Sequence, residues 1–187
     1  VPVTVFGSAS TARYVRVGLD ALPALKAVTL IFDARDVNLL QVALPPLSGA
    51  RLQQALPNIV EEMLLQDPQG CAFVAGPRTG GDGRRLVAAI DRAWLEFVLG
   101  AFERRGIEVQ AAWPAQLALP AGVDGMALAC LNDGLVLRTG ALDGIGWSAS
   151  ADPDSRTDAI VTLLASAGPS QPLVVASAER REAAPER

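Results

Sequence analysis

The sequence predicts a mixed α/β protein, and three observations predict it. Short apolar runs of strand length alternate with longer segments whose apolar residues recur at the helical period. Pro- and Gly-rich breaks separate the two kinds of segment. Half of the 187 residues are hydrophobic, which is enough to bury a sizeable core.

Residues 1–26 carry weak signals, and within them "TARYVRVGLDAL" reads as a strand followed by a short turn. "AVTLIFD" (27–33) sets Val28, Leu30 and Phe32 on one face at period two. "DVNLLQVAL" (36–44) follows after only Ala34-Arg35, so a hairpin is expected there. Pro45-Pro46 ends it, and Ser48 is placed to cap the next helix, over 48–66. On that helix Leu52, Leu56, Ile59, Val60, Met63 and Leu64 form one apolar stripe directed at the core. Pro57 lacks a backbone donor and biases Leu56 away from helical angles, so a kink or restart is expected at that point. Glu61 and Glu62 fall off the stripe, and Asp67-Pro68 closes the segment.

"CAFVAGP" (71–77) and "RRLVAAID" (84–91) read as two strands joined by "RTGGDG". The glycines invite a phosphate-loop reading, but such a loop leads from a strand into a helix and carries Lys-Ser/Thr. This one leads into a second strand, as a hairpin does. Asp91 then caps a helix over 91–106 that buries Trp94, Leu95, Val98, Leu99 and Phe102 and stops at Gly106. "IEVQAAW" (107–113) is a strand and "PAQLALP" (114–120) a short helix or turn.

A β-rich section follows. "MALACLN" (126–132), "LVLRTG" (135–140) and "IGWSAS" (145–150) form a three-stranded meander, turned at Asp133-Gly134 and at 142–144. A helix over 155–168, with Ile160, Leu163 and Leu164 inward, and a strand over 172–177 complete it. Meander, helix, strand is the beginning of a ribonuclease-H-like or actin-like unit. The charged tail 178–187 is too polar to pack and is expected to fray.

The chemistry available to this chain is narrow. It has no histidine, which removes the commonest general base, the Ser-His and Cys-His nucleophile systems and imidazole metal ligands together. "GWSAS" lacks the spacing of a nucleophile elbow. Asp33, Asp36 and Asp133 lie at strand ends, where a ribonuclease-H-type nuclease places metal-binding carboxylates; the plainer reading is that they flank turns. Adjacent Glu61 and Glu62 point about 100° apart on a helix, which suits a solvated face or an acidic partner-binding patch better than a facing acid/base pair. Sixteen basic and twenty acidic residues give a net charge of −4, with no basic stripe for a phosphate backbone, so no nucleic acid is expected as a partner. Cys71 and Cys130 each sit in an apolar run and read as buried thiols. No run approaches the ~20 apolar residues that cross a bilayer.

Three stretches carry a family resemblance. "LPPLSGARLQQALPNIVEEMLLQDP" (44–68), "AAIDRAWLEFVLGAFERRGIEVQAAWPAQLALP" (88–120) and "LNDGLVLRTGALDGIGW" (131–147) together resemble the cytoplasmic domain of the inner-membrane platform protein L (GspL) of the bacterial type II secretion system. The likeness covers roughly 27–150 and keeps the proline-started acidic helix, the Asp-Arg-x-x-Leu-Glu helix ending in Arg-Gly, and the Pro-x-x-Leu-x-Leu-Pro turn in order.

The resemblance implies an actin-like ATPase or ribonuclease-H-like α/β fold with a degenerate nucleotide site. "NDGLVLRTG" has an Asp-Gly turn without the hydroxyl of an Asp-x-Gly-Ser/Thr loop, so no cofactor and no enzymatic activity are expected. It implies a scaffold on the cytoplasmic side of the bacterial inner membrane, with the membrane helix outside this chain. Its expected partners are the N-terminal domain of the secretion ATPase (GspE type) and other platform proteins (GspM and GspF types), with a homodimer as a further option. The expected organisation is an N-terminal α/β part (1–120), a meander-plus-helix part (121–177) and the polar tail. Glu61, Glu62 and Asp67 are the expected partner-binding residues. The runner-up is an actin-like nucleotide-binding ATPase.

Overall fold

The computed structural model describes residues 2–6, 12–16, 18–79, 83–120, 126–131, 133–150, 152–166 and 173–177. In chain order its elements are β1 (Pro2–Phe6), β2 (Ala12–Arg16), β3 (Ala27–Phe32), β4 (Val37–Val42), α1 (Gly49–Val60), β5 (Cys71–Thr79), β6 (Arg84–Asp91), α2 (Arg92–Glu103), β7 (Glu108–Pro114), α3 (Ala115–Ala118), β8 (Met126–Cys130), β9 (Gly134–Gly140), β10 (Asp143–Ser148), α4 (Pro153–Ser166) and β11 (Leu173–Ser177). The tail expected to fray lies outside the described residues. Among them, no helix is long and apolar enough to cross a membrane.

Contacts gather the chain into two compact units, each discontinuous in sequence. The first comprises Val1–Leu30 and Glu96–Ala112. In it β1 and β2 pair antiparallel, and Leu22, Phe102 and Ile107 are buried together, flanked by Leu25, Val28, Val98 and Val109. The C-terminal end of α2 explains why Ile107 reaches that core. Gly106 adopts φ +66°, and its N–H bonds the Glu103 carbonyl at 2.8 Å while the Ile107 N–H bonds that of Phe102 at 3.1 Å. This is a Schellman ending, which only glycine adopts without strain and which folds the next apolar residue back onto the helix.

The second unit, Ile31–Leu95 and Trp113–Arg187, contains two sheets. One has the order β4-β6-β5, all antiparallel. Alternate residues of its strands meet α1, burying Val42, Leu52, Leu56, Val60, Cys71, Phe73, Val87 and Ala89. The other has the order β10-β9-β8-β11, with β8, β9 and β10 antiparallel and β11 parallel to β8. That is the strand order of a ribonuclease-H-like unit, as expected. Its helix α4 seals Met126, Leu128, Leu135 and Leu137 with Leu163. Asp152 starts α4 by accepting the Ser155 N–H at 2.9 Å, with Pro153 at its first position.

Four expectations are corrected. β3 and β4 do not form a hairpin: β3 pairs with β7 and β4 with β6. Ala34-Arg35 supplies neither the Gly nor the Asn that a two-residue hairpin turn requires. Residues 33–36 instead form a turn in which the Asp36 N–H bonds the Asp33 carbonyl at 3.0 Å and the Arg35 N–H bonds Asp33 Oδ1 at 2.9 Å. The helix expected over 48–66 ends at Val60 and continues as a 3₁₀ turn, Glu61–Met63, which turns Met63 out to solvent. Ser48 occupies the cap position, but its side chain makes no capping bond. Trp94, expected inside, is 39% exposed.

Candidate partner-binding surface

The surface that the sequence singles out begins where α1 runs out. Pro57 lies within α1 without ending it, and Val60, the last helical residue, is fully buried. Tightening to 3₁₀ geometry changes the rotation per residue from about 100° to about 120°, so the apolar stripe stops tracking the core. Leu64 still packs on the α1 cluster, whereas Met63 is 51% exposed and Leu65 stands wholly in solvent. Glu61 and Glu62 are exposed, and among the described residues neither enters an ion pair.

Asp67 is placed differently. Its Oδ1 accepts the Gln69 N–H at 2.9 Å, capping the short turn Pro68–Gly70. Gln66 Nε2 donates to Cys71 Sγ at 2.9 Å, and that thiol donates to the Asp67 carbonyl at 3.6 Å. The structure therefore brings Glu61 and Glu62 together on one 3₁₀ turn and gives Asp67 a local capping task. Its Asp-Pro-Gln pattern is the sequence signal for that task. The exposed pair Met63 and Leu65 was missed, because nothing in the apolar period announces the change of helix type.

A second cluster surrounds the turn 33–36. Arg35 grips Asp33 with two bonds, Nε to Oδ1 at 2.9 Å and Nη2 to Oδ2 at 2.7 Å, and reaches Asp133 through its carboxylate at 3.2 Å and its carbonyl at 3.1 Å. The guanidinium holds the Asp33 carboxyl below its ordinary range, while burial, with repulsion from Asp33, raises that of Asp36. A guanidinium already lies where a cation shared by Asp33 and Asp133 would have to sit. Among the described residues, no three or more His, Cys, Asp or Glu side chains are grouped to hold a metal ion.

A cleft of about 460 Å³ adjoins this turn, lined by Arg35, Asn38, Gln116, Thr139, Asp143 and Gly144 among others. Buried Gln116 donates through Nε2 to the carbonyls of Ala34 and Val37 at 3.4 and 3.1 Å, and among the described residues its Oε1 has no partner. The residues present do not fit a nucleoside triphosphate: Arg35, the cation among the described lining residues, is committed to two carboxylates, and Asp143 adds a charge that repels phosphate.

Residues 6–184 match the family model for protein L of the type II secretion system, and the chain belongs to that family. Type II secretion system protein L of Vibrio cholerae is 28% identical over 127 residues, which are 66% of this chain and 30% of that protein; the chain thus spans less than a third of the curated relative it matches. The solved cytoplasmic domain of EpsL, an inner-membrane component of the type II secretion system of Vibrio cholerae, superposes with a TM-score of 0.73 at 23% identity, covering 94% of this chain and 76% of that one. That likeness shows a shared fold. A Bacteroides thetaiotaomicron protein with an actin-like ATPase fold aligns at a TM-score of 0.39 and 9% identity, over 76% of this chain and 55% of that one, too loosely to carry an argument.

Proposed function

We propose that this chain is a non-enzymatic scaffold on the cytoplasmic side of the inner membrane, one that recruits the secretion ATPase and couples it to the other platform proteins. Membership of the protein L family supports the setting. The observation that carries the recruiting role is the pair Glu61 and Glu62, exposed and outside any ion pair among the described residues, at the end of a helix otherwise anchored in the core. Asp67 is a third exposed carboxylate on the same segment, held in place by the turn it caps. Carboxylates so placed favour a basic partner face and leave the apolar interior of α1 undisturbed.

Calorimetric titration with the isolated N-terminal domain of the cognate secretion ATPase tests this. Saturable binding of defined stoichiometry supports the reading, and absence of heat at tens of micromolar removes it. The alternative reading, a nucleotide-binding ATPase, would have to use the cleft beside residues 33–36, whose lining does not fit a triphosphate. Under that reading Mg-ATP at 100 times its Kd stabilises the fold by ~2.7 kcal/mol. The scaffold reading expects the unfolding midpoint to stay put.

A further inference from the structure

The acidic patch is not the whole of the surface, because exposed ion pairs contribute little and desolvated apolar anchors carry most binding energy. We infer that Met63 and Leu65 are the apolar anchors of the site flanked by Glu61, Glu62 and Asp67, and that the occupant is a basic protein surface with an apolar recess. The inference rests on the proposed recruitment of the ATPase and names the part of the surface that holds it.

Large apolar side chains scattered singly on a surface need no explanation, but these two sit two residues apart on a segment fixed at both ends. On one side Val60 and Leu64 pack into the α1 core, and the Leu64 N–H reaches the Glu61 carbonyl at 3.5 Å. On the other, the Asp67 cap and the Gln66–Cys71 contact tie the chain down. The two anchors are thus held outward before any partner arrives, which lowers the ordering cost of binding.

Charge selects the occupant. A second copy of this chain meeting the site across a twofold axis would set Glu61 and Glu62 against their own counterparts, and a bilayer rich in anionic lipid would repel them. A basic face with a recess for Leu and Met satisfies both features at once.

The test is titration of the ATPase N-terminal domain with the wild type, with Met63→Ser/Leu65→Ser and with Leu65→Met. Both positions are exposed, so the unfolding midpoint of the serine variant should match the wild type. The expected result is a loss of affinity of about 10-fold or more, mostly in dissociation rate, with an unchanged salt dependence, and near wild-type binding by Leu65→Met. Wild-type affinity in the serine variant overturns the inference and leaves the recruiting role standing. No binding by the wild type removes both. Self-association of the wild type that the serine variant abolishes, with ATPase binding intact, assigns the segment to a second copy and also overturns the inference.

Discussion

Two arginines show how differently one side chain is used in this chain. Arg35 is half-exposed and spends its guanidinium on Asp33 and Asp133. Because the folded state lowers the carboxyl of Asp33, that group contributes stability above its unfolded pKa of about 3.9 and loses it as the pH falls through the folded value. Asp36 is raised, so its ionised form opposes folding and protonation relieves the penalty. Asp33→Asn should therefore lower stability at pH 7 by about 1–2 kcal/mol, a deficit that is smaller at pH 3, whereas Asp36→Asn should leave it unchanged or slightly higher. Urea unfolding of both variants at the two pH values checks the opposite signs. Arg138, by contrast, is buried and, among the described residues, meets no carboxylate. It donates to the carbonyls of Leu117, Leu119, Gly140 and Ala141, binding the end of α3 to the turn between β9 and β10. Arg138→Met fills the space but orphans four acceptors, and a loss of about 2–4 kcal/mol in chemical denaturation is expected.

At the scale of elements, β10 is held by what its glycines omit. A Cβ on Gly146 would lie 2.6 Å from the backbone carbon of Ala34 and 2.7 Å from its Cβ. The turn 33–36 is therefore seated directly on the strand, and Gly146→Ala must push them apart, at a cost of about 1–3 kcal/mol. Calorimetric unfolding measures it, and an unchanged midpoint would mean that the turn moves freely. That contact was not legible in the sequence, because Ala34 and Gly146 are far apart along the chain and glycine in a strand announces nothing about its neighbour. The elements themselves were legible where a local rule decides them: the period-two run of β3, the Asp133-Gly134 turn between β8 and β9, the stripe of α1 as far as Val60, the Asp91 cap of α2 and its Gly106 ending. What failed was pairing and termination. Strand order depends on distant partners, so β3 was matched to its neighbour in sequence instead of β7. The apolar spacing of α1 runs on through Met63, so the change to 3₁₀ geometry left no trace. Of the candidate surface, the exposure of Glu61 and Glu62 followed from their place off the stripe, while the Arg35 link to Asp133 spans 98 positions and has no local signal.

For the whole molecule the open question is how a chain of net charge −4 selects a partner. Charges at a protein's rim act mainly on encounter, over a Debye length of about 8 Å at physiological salt, and little on the persistence of the complex once formed. Glu61→Lys/Glu62→Lys brings the net charge to zero and reverses its sign at the proposed docking surface. If a basic ATPase face docks there, the variant should associate about 10-fold more slowly at low ionic strength, and the difference should shrink as salt screens both proteins. Stability should be unaffected, since neither glutamate supports the core. Association rates from stopped-flow mixing across a salt series distinguish this from a general effect of charge: moving the same four units to carboxylates elsewhere on the chain must not reproduce the slope. A rate indifferent to the Glu61 and Glu62 reversal at every salt concentration would take these residues out of the interface.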